Sequence, residues 1–109
     1  MNIKLMRLST GEDLIGDVTG TFTKNQGTGV KTGITVENPC IVYITQTQTG
    51  GHNVGLTRWM PYADNKTFEI DDNFIVTIAE PAADLAKQYD QVFGSGIIVP
   101  QQGIEIPTV

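Results

Sequence analysis

Leu8-Ser9-Thr10-Gly11-Glu12-Asp13-Leu14-Ile15-Gly16-Asp17-Val18 is the stretch on which the fold turns. Gly11 follows an apolar run and marks a turn. From Leu14 the side chains alternate: Leu14, Gly16, Val18, Gly20 and Phe22 share one strand face. Asp17, Thr19, Thr21 and Thr23 share the other, with Ile15 the exception. Glycine inside a strand marks a sharp bend or a close backbone approach, so Gly16 and Gly20 predict a strand that curls. A small barrel needs that. Upstream, residues 2–8 are apolar on both faces, with Ile3 and Leu5 on one side and Met6 and Leu8 on the other.

Downstream, residues 24–33 (KNQGTGVKTG) read as a polar, glycine-rich loop. A strand begins at 34–36 and is interrupted by Asn38-Pro39. Residues 40–44 (CIVYI) are apolar on both faces, as in a strand covered on two sides. Thr49-Gly50-Gly51 predicts a hairpin turn into a strand over 53–60. Pro61 bends or ends that strand, 63–66 (ADNK) form a turn, and 67–70 a short strand. Asp71-Asp72-Asn73 then turn tightly into a last core strand, 74–79. One helix follows. Pro81 suits its first turn and Asp84 the positive end of its dipole. Leu85, Tyr89 and Val92 lie at i, i+4 and i+7, and Gly94 is placed as a left-handed terminator. At about 12 residues such a helix is marginal alone and must pack on the sheet or on a neighbouring subunit. Residues 97–109 read as an extended apolar tail broken by prolines, following a barrel-plus-helix domain over 1–96. The expected fold is mainly β: five strongly bent strands, one of them kinked, then one C-terminal helix.

The 109 residues allow one domain. Cys40 is the single cysteine, which excludes an internal disulfide framework and a multi-cysteine metal site. Hydrophobic residues make up 39% of the chain, as in a globular rather than a disordered protein. Residues 1–8 hold no apolar stretch of signal-peptide length, and no run reaches the roughly 18 apolar residues of a spanning helix. A cytoplasmic protein with no membrane partner is the expectation. The net charge of −5 argues against a general polyanion binder. That charge is unevenly placed. Lys4, Arg7, Lys24, Lys31 and Arg58 against Glu12, Asp13, Asp17 and Glu37 leave residues 1–60 at +1, and residues 61–109 carry −6.

Little in the chain reads as catalytic. His52 is the only histidine and sits in a turn-like GGHN setting; Cys40 lies in an apolar strand with no activating partner. Neither Ser9 nor Ser95 has a nucleophile-elbow pattern around it. Asp64, Glu69, Asp71 and Asp72 lack the alternating ligand order of a calcium loop and read as a solvated acidic turn. Gly27-Thr28-Gly29 and Gly33 lack the Gly-Lys-Ser/Thr of a phosphate loop. No enzyme, cofactor or metal is expected. Arg58-Trp59-Met60-Pro61-Tyr62 stands out instead: Arg beside aromatics can close a barrel end, anchor a subunit interface or stack on bases.

The spacing Leu8-x-x-Gly11-x-x-x-x-Gly16-x-Val18 resembles the first Sm motif of Sm, LSm and Hfq proteins. Residues 70–75 (IDDNFI) resemble the second Sm motif in shape, a short turn between strands four and five. Residues 1–100 are similar overall to a marine metagenome family of Sm-like proteins attributed to cyanophage. MRLSTGEDLIG, ENP, RWMPYA and QYDQVFGSGI carry that likeness.

The resemblance implies a bent five-stranded barrel that assembles into a homo-oligomeric ring, neighbours pairing through strands four and five. Gly11 and Gly16 would be its structural glycines, and Phe74, Ile75, Val76 and Ile78 its subunit contacts. The sequence departs from the family in three places. Thr21 stands where the first motif places an aromatic, with Phe22 next. Asp71-Asp72 replaces the Arg-Gly pair of the second motif, and carboxylates cannot reproduce a guanidinium stack on a base. The helix follows the barrel rather than preceding it. The expected function is a ring binding single-stranded RNA or DNA in nucleic-acid processing. Its contacts would be Lys24, Asn25 and Lys31, with Arg58 and Trp59. The alternative is a non-enzymatic structural or adaptor ring in phage assembly, with a phage or host protein as partner.

Overall fold

The computed structural model describes residues 1–94. The expected tail, 97–109, lies outside the described residues. Six strands form one antiparallel sheet: β1 (Ile3–Leu8), β2 (Asp13–Gln26), β3 (Gly29–Gln46), β4 (His52–Arg58), β5 (Thr67–Asp71) and β6 (Ile75–Ala79). The order is β4-β3-β2-β1-β6, with β5 also on β3. β4 and β5 are the halves of the expected kinked fourth strand. β4 pairs with residues 40–46 of β3 and β5 with residues 33–37, so the barrel has five strands with its fourth split by residues 59–66.

The bending glycines lie where the backbone needs them. Gly11 has φ +92°, a turn conformation that L side chains rarely adopt. The β2–β3 register shifts between Ile15 and Asp17 and again between Val18 and Gly20, so Gly16 and Gly20 each accompany a bulge. Bulges bend a strand and increase its twist. Gly16 also lies so close to Val36 that a Cβ would collide with its side chain.

Two sequence expectations need correction here. Residues 24–33 are not a loop: β2 and β3 stay paired to Gln26 and Gly29, joined by only Gly27 and Thr28. Gly27, with φ +57°, permits this two-residue turn, and cross-strand pairing holds the polar ribbon straight. Nor does Asn38-Pro39 interrupt β3, which runs through it with a bulge. Asn38 takes φ +50°, a left-handed conformation that asparagine tolerates. Its N–H donates to the Lys66 carbonyl at 2.7 Å, and the Pro39 carbonyl accepts from Trp59 N–H at 3.0 Å.

The two-faced strands produce two cores. Inside the barrel, Met6, Leu8, Leu14, Ile34, Val36 and Ile70 pack with Val18, Ile41, Trp59 and Ile75. On the outer face, Ile15, Cys40 and Leu56 meet α1 (Ala83–Phe93) through Tyr89, Leu85, Val92 and Phe93, with Ile3, Leu5 and Val42 alongside. The helix starts two residues later than Pro81 suggests, with Asp84 in its first turn. Gly94 ends it in right-handed rather than left-handed conformation, its N–H donating to the Asp90 carbonyl at 2.8 Å.

Candidate nucleic-acid interface

The basic pair Lys24 and Lys31 faces itself across the β2–β3 ribbon, directly opposite in register. β5 runs beside β3 here, and alternate residues of a strand share a face. Glu69 and Asp71 therefore reach the same side as the lysines. Lys24 Nζ pairs with Glu69, and Lys31 Nζ lies 3.9 Å from Asp71 Oδ2. Lys24 Nζ also sits 5.5 Å from the centre of the Phe22 ring, which is half-buried over Gly33. Asn25 pairs in register with Val30 and is exposed.

The Asp71-Asp72-Asn73 turn is built by its own carboxylates. Asp71 Oδ1 accepts from Asn73 N–H at 2.8 Å, capping a 3₁₀ turn over Asp72–Phe74. Asp72 Oδ2 accepts from the Thr32 hydroxyl at 2.8 Å, tying the turn to the ribbon. Between turn and ribbon lies an open, polar groove of about 360 Å³, lined by Gln26, Lys31, Thr32 and Asp71 through Asn73.

The five expected contact residues do not form one patch. Trp59 joins Lys31 at a second groove, of about 210 Å³, and partly fills the barrel end. Its ring meets Phe68 edge-on at 5.8 Å, and its indole N–H points to Glu12 Oε1 at 3.4 Å. Arg58 lies elsewhere, opposite Cys40 in register and lining a small cleft with Lys66 and Asn38. Met60 and Tyr62, in the segment that splits the fourth strand, are exposed, Tyr62 completely.

Cys40 is buried, and burial pushes its thiol up to about 12 despite the nearby Arg58 guanidinium. His52 is exposed at the start of β4 rather than in a turn. Among the described residues, no three His, Cys, Asp or Glu side chains come together as a metal site, and no helix is long and apolar enough to cross a membrane. The roles of Glu69 and Asp71 as lysine partners escaped the sequence reading. Their i, i+2 spacing on a strand was the available signal, but its meaning depends on β5 lying against β3.

Among the described residues β6 is bonded only to β1 and forms one edge of the sheet; β4 and β5, both on β3, form the other. The four side chains expected as subunit contacts lie on or beside β6. In the single chain Val76, Phe74 and Ile78 are 64%, 55% and 44% exposed, while Ile75 packs on the barrel core. Among protein families, the model described as Sm_like domain matches residues 5–90. A comparison with curated proteins finds no match.

Proposed function

The chain belongs to the Sm-like domain family, and we propose that it assembles into a homo-oligomeric ring that binds single-stranded RNA or DNA. The observation that carries the ring is the β6 edge. Val76 and Ile78 are exposed apolar side chains on a strand whose outer edge pairs with no other described strand, and the exposed Phe74 precedes it in the 3₁₀ turn; natural sheets otherwise cover or charge such an edge. The opposite edge, β4 and β5, is a different surface, so pairing of β6 with a neighbour's β4 or β5 would be head-to-tail and could close a ring.

Nucleic acid would be held at the ribbon, with phosphates exchanging for the carboxylates now paired to Lys24 and Lys31. The Lys24–Glu69 pair is exposed, and an exposed ion pair contributes only about 0–1 kcal/mol, while Lys31 and the largely buried Asp71 are 3.9 Å apart, so neither contact holds its lysine firmly. The ring would work in the cytoplasm, as a binder rather than an enzyme. A second reading, a structural or adaptor ring of phage assembly, is favoured by the same ion pairs, because Glu69 and Asp71 neutralise the two cations a nucleic-acid face needs.

Native mass spectrometry with and without oligo(U) at ~50 mM salt separates the readings. The first predicts an oligomer that gains bound oligonucleotide. An oligomer without oligonucleotide would leave the adaptor reading, and a monomer would remove both.

A further inference from the structure

The second groove, at the barrel mouth, has a composition suited to a cation. Trp59, Ile70 and Phe74 supply apolar and aromatic surface, and Glu12, Glu69 and Asp71 stand around it; Lys24 pairs with Glu69 and Lys31 lies 3.9 Å from Asp71, so the uncompensated charge is that of Glu12. At about 210 Å³ it is smaller than the roughly 300–1,000 Å³ of a small-molecule site and has room for one side chain. Glu12 is the distinctive member. Its Oε1 accepts from the Thr10 hydroxyl at 3.0 Å and faces the Trp59 indole N–H, yet it has no Lys or Arg partner among the described residues. A carboxylate is thus fixed beside an indole with its charge uncompensated.

We propose that this groove receives an arginine side chain from a partner protein. The indole attracts a cation through its quadrupole. Carboxylates accept the planar guanidinium fork, and the apolar surface covers its methylene stem. The uncompensated Glu12 carboxylate beside the indole disfavours a phosphate-bearing occupant at that end of the groove. The proposal does not rest on ring assembly or on nucleic-acid binding, since every residue it uses comes from one chain.

Trp59 is the sole tryptophan, so its fluorescence reports on the groove directly. The full chain is titrated with acetyl-Gly-Arg-Gly-amide, with its lysine counterpart and with cytidine monophosphate. The expected result is a saturable change with the arginine peptide, weaker with lysine, and a loss of affinity of about tenfold in Glu12→Gln. Glutamine can still accept from the indole, and circular dichroism checks the fold. Should Glu12→Gln fail to fold, Glu69→Gln reads the same charge dependence. No saturable change up to ~10 mM peptide would overturn the proposal. So would an equal response in the folded carboxylate variant, or saturation by cytidine monophosphate instead.

Discussion

Gly33 and Gly20 lie on neighbouring strands and face opposite demands. A Cβ at Gly33 would run into the Ile70 carbonyl oxygen of β5 and come within 2.6 Å of the Phe22 ring; one at Gly20 would meet nothing within 4 Å. Gly33→Ala is therefore expected to destabilise by about 1–3 kcal/mol, since β3 and β5 must separate to admit it. Gly20→Ala should stay within about 1 kcal/mol of the parent; urea unfolding midpoints compare the two. Only part of this was legible in the sequence. Gly11 and Gly16 could be read from their spacing, because a turn and a strand bend are local events. Gly33 looked like loop composition, because the backbone it must admit lies on a strand 37 positions away. Cys40 was legible as a buried thiol from its apolar neighbours. Its raised value has a sign that can be checked: the folded state holds the proton through pH 9.0, where an unfolded thiol ionises, up to about 12. Stability from this group is thus complete below 9.0 and is lost as pH rises toward 12. At pH 8 a thiol reagent should leave the native protein unmodified and label one cysteine in urea.

At the scale of elements, α1 is held by packing, by the Tyr89 hydroxyl and by Gln88, whose Nε2 donates to the Val54 carbonyl at 3.2 Å. Eleven residues are too few for a stable isolated helix in water, so its position depends on the outer core. The Tyr89 hydroxyl donates to the Glu37 carbonyl at 2.9 Å and lies 3.1 Å from the Asn38 carbonyl, at the β3 bulge. Tyr89→Phe would leave those acceptors without their donor, and a loss of about 1–2 kcal/mol is expected in chemical denaturation. The Leu85, Tyr89, Val92 spacing showed the buried helix face directly. The β2–β3 ribbon was hidden for the converse reason. Its residues are polar, so hydrophobic alternation, the usual mark of a strand, is missing, and cross-strand hydrogen bonding carries the pairing instead. The split of the fourth strand was visible at Pro61, whereas the way both halves return to β3 depends on the bend at Asn38.

For the whole molecule, placement of charge outweighs its sum. The net −5 conceals a ribbon whose two lysines are each matched by a β5 carboxylate. If nucleic acid binds there, Glu69→Gln with Asp71→Asn should tighten oligo(U) binding several-fold. Two phosphates per protomer would give a salt slope of roughly −1.4 in log Kobs against log salt. Fluorescence anisotropy measures both. Asparagine at 71 can still cap the 3₁₀ turn, so the fold should persist. Ring closure rests on an apolar edge that the described residues of one chain leave open. Size-exclusion chromatography with light scattering, run on the parent and on Val76→Lys/Ile78→Lys, tests it directly. Both residues are exposed, so the substitutions should leave the protomer folded. One discrete oligomer is expected for the parent and a folded monomer for the variant. A monomeric parent at micromolar concentration, or an oligomer that the two lysines do not disturb, would contradict it.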